Sequence, residues 1–278
     1  MELLSQHSGL WLLGLAAALA VTGLVAGVMA GLLGVGGGIV IVPVLYHLFT
    51  LLGIDESVRM HLAVGTSLAT IIPTSIISSR AHRRKGSLDM NLIRALMPGV
   101  VVGVIVGSVA SRFLGGGMLT AVFACVALLV ALNMAFKRDG FSVADGLPGR
   151  AGTALLGGGI GGVSTLMGIG GGTLSVPLLN ALKVPMHTAV GTGALLGTVI
   201  SVPGALAFVL NGLDVPLRPP FSLGYVNLLG FALIVPATLL TTGWGATLAH
   251  RTDARRLRRV FAAFLALTSL RMFYGLLT

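Results

Sequence analysis

From Ser8 to Tyr46 the chain runs for 39 residues without a charged residue or a histidine. As a single helix that run would be about 58 Å long, nearly twice the roughly 30 Å hydrocarbon core of a bilayer. It must turn back once, and the cluster of helix breakers inside it is Gly34-Val35-Gly36-Gly37-Gly38. A long helix over 10–33 and a short one over 39–52 follow. Eight more apolar runs continue the pattern, at 62–79, 92–111, 118–136, 151–167, 173–182, 188–210, 223–248 and 260–277. Only 9% of residues are charged, against about 25% in a soluble domain. With 55% hydrophobic residues and 41 glycines, no stretch remains for a soluble ATPase or redox domain. The expected fold class is all-α: a polytopic membrane protein of about ten transmembrane helices, short or broken at the Gly-rich motifs.

The formal net charge of +10 sits in short clusters between the apolar runs, which is the pattern of positive-inside topology and not of a nucleic-acid-binding face. With ten crossings and both termini outside, 14 of the 18 Lys and Arg residues fall on the cytoplasmic side, and the tips near Asp55, Gly116 and Asp214 are external. Were the two short segments re-entrant, the cluster Arg80 to Lys85 and the cluster Arg251 to Arg259 would lie on opposite sides, against that rule. The first residues carry Glu2 and no Lys or Arg, so the charged start of a cleavable signal peptide is missing and the first run reads as retained. The lone Cys125 lies inside an apolar run, where it reads as packing.

The chain also carries one passage twice. Residues 31–45 align with 165–179 at eight of fifteen positions, sharing Gly-x-Gly-Gly-Gly-x-x-x-x-Pro, and His61-Leu-Ala-Val-Gly-Thr66 matches His187-Thr-Ala-Val-Gly-Thr192 at five of six. The division is a first five-helix repeat over 1–138, a cytoplasmic linker over 139–150 and a second five-helix repeat over 151–278. Five is odd, so the second copy starts from the opposite side and the two are related by an axis in the membrane plane. Inverted repeats with interrupted helices at matching positions are the architecture of secondary transporters.

These paired blocks resemble those of the TauE/SafE sulfite exporter family, also called TSUP. The resemblance covers both motif regions, about 27–80 and 158–204, and implies an inner-membrane carrier, bacterial or archaeal, for sulfur-containing anions such as sulfite, sulfoacetate or other sulfonates.

The Gly blocks are neither a P-loop, for no Lys follows, nor a dinucleotide motif, for Ile39 and Thr173 stand where Gly is needed. Gly36, Gly37, Gly38 and Gly170, Gly171, Gly172, each followed by a proline, Pro43 or Pro177, are candidates to cradle a small oxyanion with backbone N–H groups at a half-helix start. Close helix packing is the alternative. Thr66, Ser67 and Thr192 could donate to an oxyanion or cap a helix. Thr173 and Ser175 stand where the first repeat has Ile39 and Ile41, so substrate contact is expected to lean toward the second repeat. His61 and His187 recur in both halves, as a gate or proton-sensing pair or as boundary residues held by a hydrogen bond.

All eight carboxylates fall in a terminus or a connection, which argues for an anionic or neutral substrate and against a carboxylate proton relay. No metal site, cofactor or catalytic constellation is expected, and the chain is read as a non-enzyme. An anion leaving a cell gains about 2.3 kcal/mol per charge per 100 mV, so export needs no coupling ion. The expected partners are a small anionic substrate and the lipid bilayer, with Gly-rich outer faces that permit a homodimer. The function expected is alternating access, one half rocking against the other, with an anion channel of the same fold as the alternative.

Overall fold

The computed structural model describes residues 9–33, 36–136, 146–248 and 254–277. Among them are ten α-helices: α1 (Gly9–Leu33), α2 (Gly38–Leu51), α3 (Glu56–Arg84), α4 (Met90–Phe113), α5 (Gly116–Phe136), α6 (Arg150–Met167), α7 (Gly172–Ala181), α8 (Met186–Asn211), α9 (Leu228–Leu248) and α10 (Ala254–Leu277). Each corresponds to one apolar run. Six are long and apolar enough to cross a membrane: α1, α3, α4, α5, α8 and α9. At 1.5 Å per residue, α2 spans about 21 Å and α7 about 15 Å, so neither reaches across the hydrocarbon by itself.

Two differences from the sequence reading have clear causes. Helix α3 starts six residues before the apolar run and ends five after it. Asp55 caps it by accepting from the Ser57 backbone N–H at 2.9 Å, and the hydroxyl and backbone bonds from Ser57 hold the Asp55 carboxyl below its usual range. Apolarity marks where a helix meets lipid, and capping marks where it ends. The ninth run, apolar from 223, opens not as helix but with a two-stranded antiparallel hairpin, Ser222–Leu223 against Val226–Asn227. Gly224 turns it with φ 56°, so the fold is not wholly α. Cys125 faces outward from α5 instead of packing.

The helix pairing has an internal symmetry. Helix α1 lies along α9, and α4 lies along α6; α3 packs on α8, α5 on α10, α2 on α3 and α7 on α8. Adding five to each helix number, modulo ten, turns α1·α9 into α6·α4 and leaves α3·α8 and α5·α10 unchanged. Proline positions follow the same rule: Pro43 and Pro177 are each the sixth residue of α2 and α7, and Pro98 and Pro236 the ninth of α4 and α9.

The α4·α6 pair is a backbone-to-backbone contact. A Cβ at Gly103 would collide with the Gly158 carbonyl, and one at Gly161 with the Val100 carbonyl. Small residues at four-residue spacing let two helices approach this closely where lipid supplies no hydrophobic drive. The opposite face of α4 turns Val101, Val102, Ile105, Val106 and Val109 outward, as a face in contact with lipid requires.

The buried apolar residues form two separate cores. One joins α4, α6, α7 and α8 through residues such as Leu96, Val100, Ile160, Leu179 and Ile200. The other joins α1, α2, α3, α5, α9 and α10 through Ala26, Ile41, Leu62, Phe123, Ile234 and Leu265, and it also takes in Met167 at the end of α6 and Ala205 and Phe208 in the last third of α8. Each core draws on both sequence repeats.

Candidate functional site

Both Gly turns come together at the boundary between the two cores. Gly36 and Gly37 have φ 75° and 79°, a backbone that a side chain would strain. Gly34 and Val35 of the same turn lie outside the described residues. A Cβ at Gly36 would stand 3.5 Å from Gly170 Cα, so the first repeat's turn touches the second's. A Cβ at Gly38 would fall 2.5 Å from the Gly168 carbonyl oxygen and 2.9 Å from Ser67 Oγ. Ser67 itself donates to that carbonyl at 2.6 Å, tying α3 to the turn that ends α6. Both short helices therefore begin at one buried place.

The long helices α3 and α8 cross beside it. A Cβ at Gly197 would lie 3.1 Å from Ser75 Cβ and 3.8 Å from the Gly171 backbone nitrogen, so α3, α8 and the start of α7 meet around one glycine. Thr198 Oγ1 donates to Ser75 Oγ at 3.1 Å. A Cβ at Gly193, the neighbour of Thr192, would sit 2.7 Å from Gly172 Cα and 2.9 Å from Ser175 Oγ. The first turn of α7 thus lies against the Thr192-Gly193 segment of α8.

Hydroxyl satisfaction separates the two repeats. In the first, buried hydroxyls are engaged: Thr70 donates to the Ser67 carbonyl, Ser75 to the Ile71 carbonyl, and Thr66 Oγ1 accepts the Asn227 backbone N–H at 2.8 Å. In the second, Thr173, Ser175 and Thr192 at the site, with Ser164 on α6 and Ser201 further along α8, have buried hydroxyls without a hydrogen-bond partner. Among the described residues the first repeat contains one such hydroxyl, Ser108. A buried hydroxyl left unbonded costs about 1–3 kcal/mol, and five in one repeat call for an acceptor. An oxyanion in contact with Thr173, Ser175 and Thr192 would supply it. None of the Lys, Arg, Asp or Glu residues whose side chains are described is buried, so the donors seen there are neutral.

Other expected site residues have different places. Thr66 and Thr192 do not cap helices, because α3 and α8 begin ten and six residues earlier, at Glu56 and Met186. Thr66 instead anchors the hairpin. Pro43 and Pro177 lie inside α2 and α7, where each withholds one intrahelical donor. His61 is buried, donates from Nε2 to the Ser111 carbonyl at 3.2 Å, and stacks on Tyr225 at 4.8 Å. His187 is exposed at the start of α8. The two histidines thus occupy unlike surroundings and are not brought together. Ser75, Thr198, Ser164 and Ser201 were not singled out by sequence, although the hydroxyl series Ser67, Thr70, Thr74, Ser75, Ser78 and Ser79 inside an apolar run was visible there.

A cavity of about 320 Å³ lies elsewhere, between α1, α2, the hairpin and α9, lined by Leu19, Leu48, Phe49, Phe221 and Leu233 among others. Its walls are almost entirely apolar, and Asn227, which lines it, accepts the Gly230 backbone N–H with its side-chain oxygen and donates to Ser222 Oγ with its nitrogen. It offers an anion nothing.

Residues 19–272 match the family model described as sulfite exporter TauE/SafE. A probable membrane transporter protein of Haemophilus influenzae is 33% identical over 254 residues, covering 90% of this chain and 95% of the relative. Probable membrane transporter proteins of Methanocaldococcus jannaschii and Bacillus subtilis are each 26% identical, covering 91% and 92% of this chain and 94% and 96% of their own lengths. No solved structure matches the chain.

Proposed function

The chain belongs to the sulfite exporter TauE/SafE family, and we propose that it is a secondary transporter of small sulfur-containing anions, either sulfite, sulfoacetate or another organosulfonate, working in the direction of export. The observation that carries this reading is the convergence of both Gly turns on one buried place beside three unpartnered hydroxyls, Thr173, Ser175 and Thr192. Backbone N–H groups at the starts of α2 and α7 and these hydroxyls are all donors, and an oxyanion is all acceptor.

The helix pairing and the matched prolines support an inverted repeat with alternating access. They also change which bodies move. The α1·α9 contact lies inside one core and the α4·α6 contact inside the other, so the sequence halves cannot part without breaking both of these long contacts, and the rocking units are not the sequence halves. They are the two apolar cores, each built from both halves, with the anion at the seam where α3 crosses α8.

Counterflow in proteoliposomes tests the function. Preloading with unlabelled sulfite or a sulfonate is expected to accelerate uptake of the same labelled anion, with saturation. Flux that neither saturates nor shows counterflow would identify a channel instead.

We place the chain in a bacterial or archaeal inner membrane with both termini outside; counting α2 and α7, each together with its Gly turn, as one crossing puts 14 of 18 cationic residues on one side. In a Cys125→Ser background, exposed Arg84→Cys should react with an impermeant maleimide only after permeabilisation, and Asp214→Cys should react in intact cells. The reverse pattern, or equal labelling, overturns the topology.

A further inference from the structure

Resting on the anion site above and narrowing the anions proposed for it, we infer that it accepts monoanions and rejects dianions: sulfite enters as hydrogensulfite, monosulfonates are taken, and the sulfite dianion, sulfate and sulfoacetate are excluded. The argument is a count of charge. No charged residue lies on α7, and α8 has only the exposed His187 in its first turn. On α3 the basic residues start at exposed Arg80, beyond Ser75; at the other end Glu56 is exposed, Arg59 is held by the Ile54 carbonyl at 2.8 Å, and buried His61 is engaged away from the turns, by the Ser111 carbonyl and the Tyr225 ring. Helices α1 and α9 carry no charged residue. On α2 the titratable group is His47, about two and a half turns past Gly38. On α6 it is Arg150, at the far end.

What remains as positive potential is the two short helices. Each helix start is worth about half an elementary charge, and α2 and α7 begin where Gly36 and Gly170 touch. Together they supply at most about one unit. The carbonyl ends of α1 and α6 enter the same turns and reduce this, although part of α6's end is satisfied by Gly168 and Ile169 N–H groups bonding back to Thr165 and Ser164. One unit offsets a monoanion. A dianion brings a burial cost that grows with the square of its charge, about fourfold, and finds no second compensating charge. Three hydroxyl donors fit the three oxygens of a sulfonate or hydrogensulfite without adding charge.

This selection differs from one by size or shape, since sulfate and a small sulfonate are similar in both. Proteoliposomes, with protein-free vesicles as the control, separate the cases. Methanesulfonate, a monoanion throughout, should exchange at a rate indifferent to pH. Sulfite exchange should fall by more than about tenfold across the pH range in which hydrogensulfite gives way to sulfite, in proportion to the hydrogensulfite remaining. Sulfate and sulfoacetate should neither exchange nor compete with methanesulfonate. If methanesulfonate exchanges and sulfate competes equally with it, or if sulfite exchange ignores pH, the charge rule is overturned while the anion site stands. If sulfate alone exchanges, the charge rule is again overturned. If no sulfur anion exchanges in folded protein, the site reading fails and the charge rule with it.

Discussion

A disulfide between Ser75→Cys and Thr198→Cys should stop anion exchange, and a reductant should restore it. The two hydroxyl oxygens are 3.1 Å apart on α3 and α8, close enough for sulfurs in their place to bond after small rotamer changes. The link would staple the core of α4, α6, α7 and α8 to the core containing α1, α2, α3 and α9, across the seam where the anion is held. A second pair gives the contrast. Thr241 Oγ1 donates to the Leu24 carbonyl at 2.8 Å, within the α1·α9 contact. Leu24→Cys and Thr241→Cys, joined by a short bifunctional maleimide, should leave exchange near its original rate although the link connects the two sequence halves. Both measurements belong in the Cys125→Ser background. Full exchange by the 75–198 linked protein would mean that α3 and α8 move as one. Loss of exchange in the 24–241 linked protein would return the moving boundary to the linker between the halves.

That outcome turns on something the sequence could not disclose. All ten helices were legible as apolar runs, because hydrocarbon enforces length and the chain places charge only between the runs. The Gly turn inside 8–46 followed from length alone. Pairing was not legible, since apolar periodicity says which face is buried and not against which partner. The glycines of α4 and α6 were in plain view, yet only their apposition shows that α4 is bound to a helix from the other half. Helix ends were misjudged at α3 and at the hairpin before α9 for a related reason. Asp55 and Gly224 set those ends by local hydrogen bonding and a positive φ, neither of which an apolarity scan detects. The repeat picked out segments that the fold brings together, and the replacement of Ile39 and Ile41 by Thr173 and Ser175 pointed to the second repeat, where the unpartnered hydroxyls are. The symmetry that grouped these segments also misled in detail. Thr66 and Thr192 were treated as equivalents, but the hairpin, which has no counterpart before α4, engages Thr66 and leaves Thr192 without a partner.

Thr192→Val and Ser175→Ala should therefore separate binding from stability. Each is expected to raise the concentration for half-maximal exchange by about tenfold or more, since a hydrogen bond to a charged acceptor is worth about 1.5–3 kcal/mol. Neither variant removes an internal hydrogen bond, because neither hydroxyl has one. Thermal unfolding in detergent should hold steady or shift upward as a buried unsatisfied group disappears. Ser67→Ala is the opposite case. Its hydroxyl is spent on the Gly168 carbonyl, so its loss should cost about 1 kcal/mol of stability while changing anion affinity less than the other two. A purely structural role for Thr192 and Ser175 predicts the reverse ordering, with lower unfolding temperatures and unchanged half-saturation. Gly→Leu variants in the turns could not make this distinction, because a side chain at Gly38 or Gly171 would collide with Gly168 or Leu196 whether or not an anion binds. The hydroxyls discriminate because they are the groups for which the fold itself has no use.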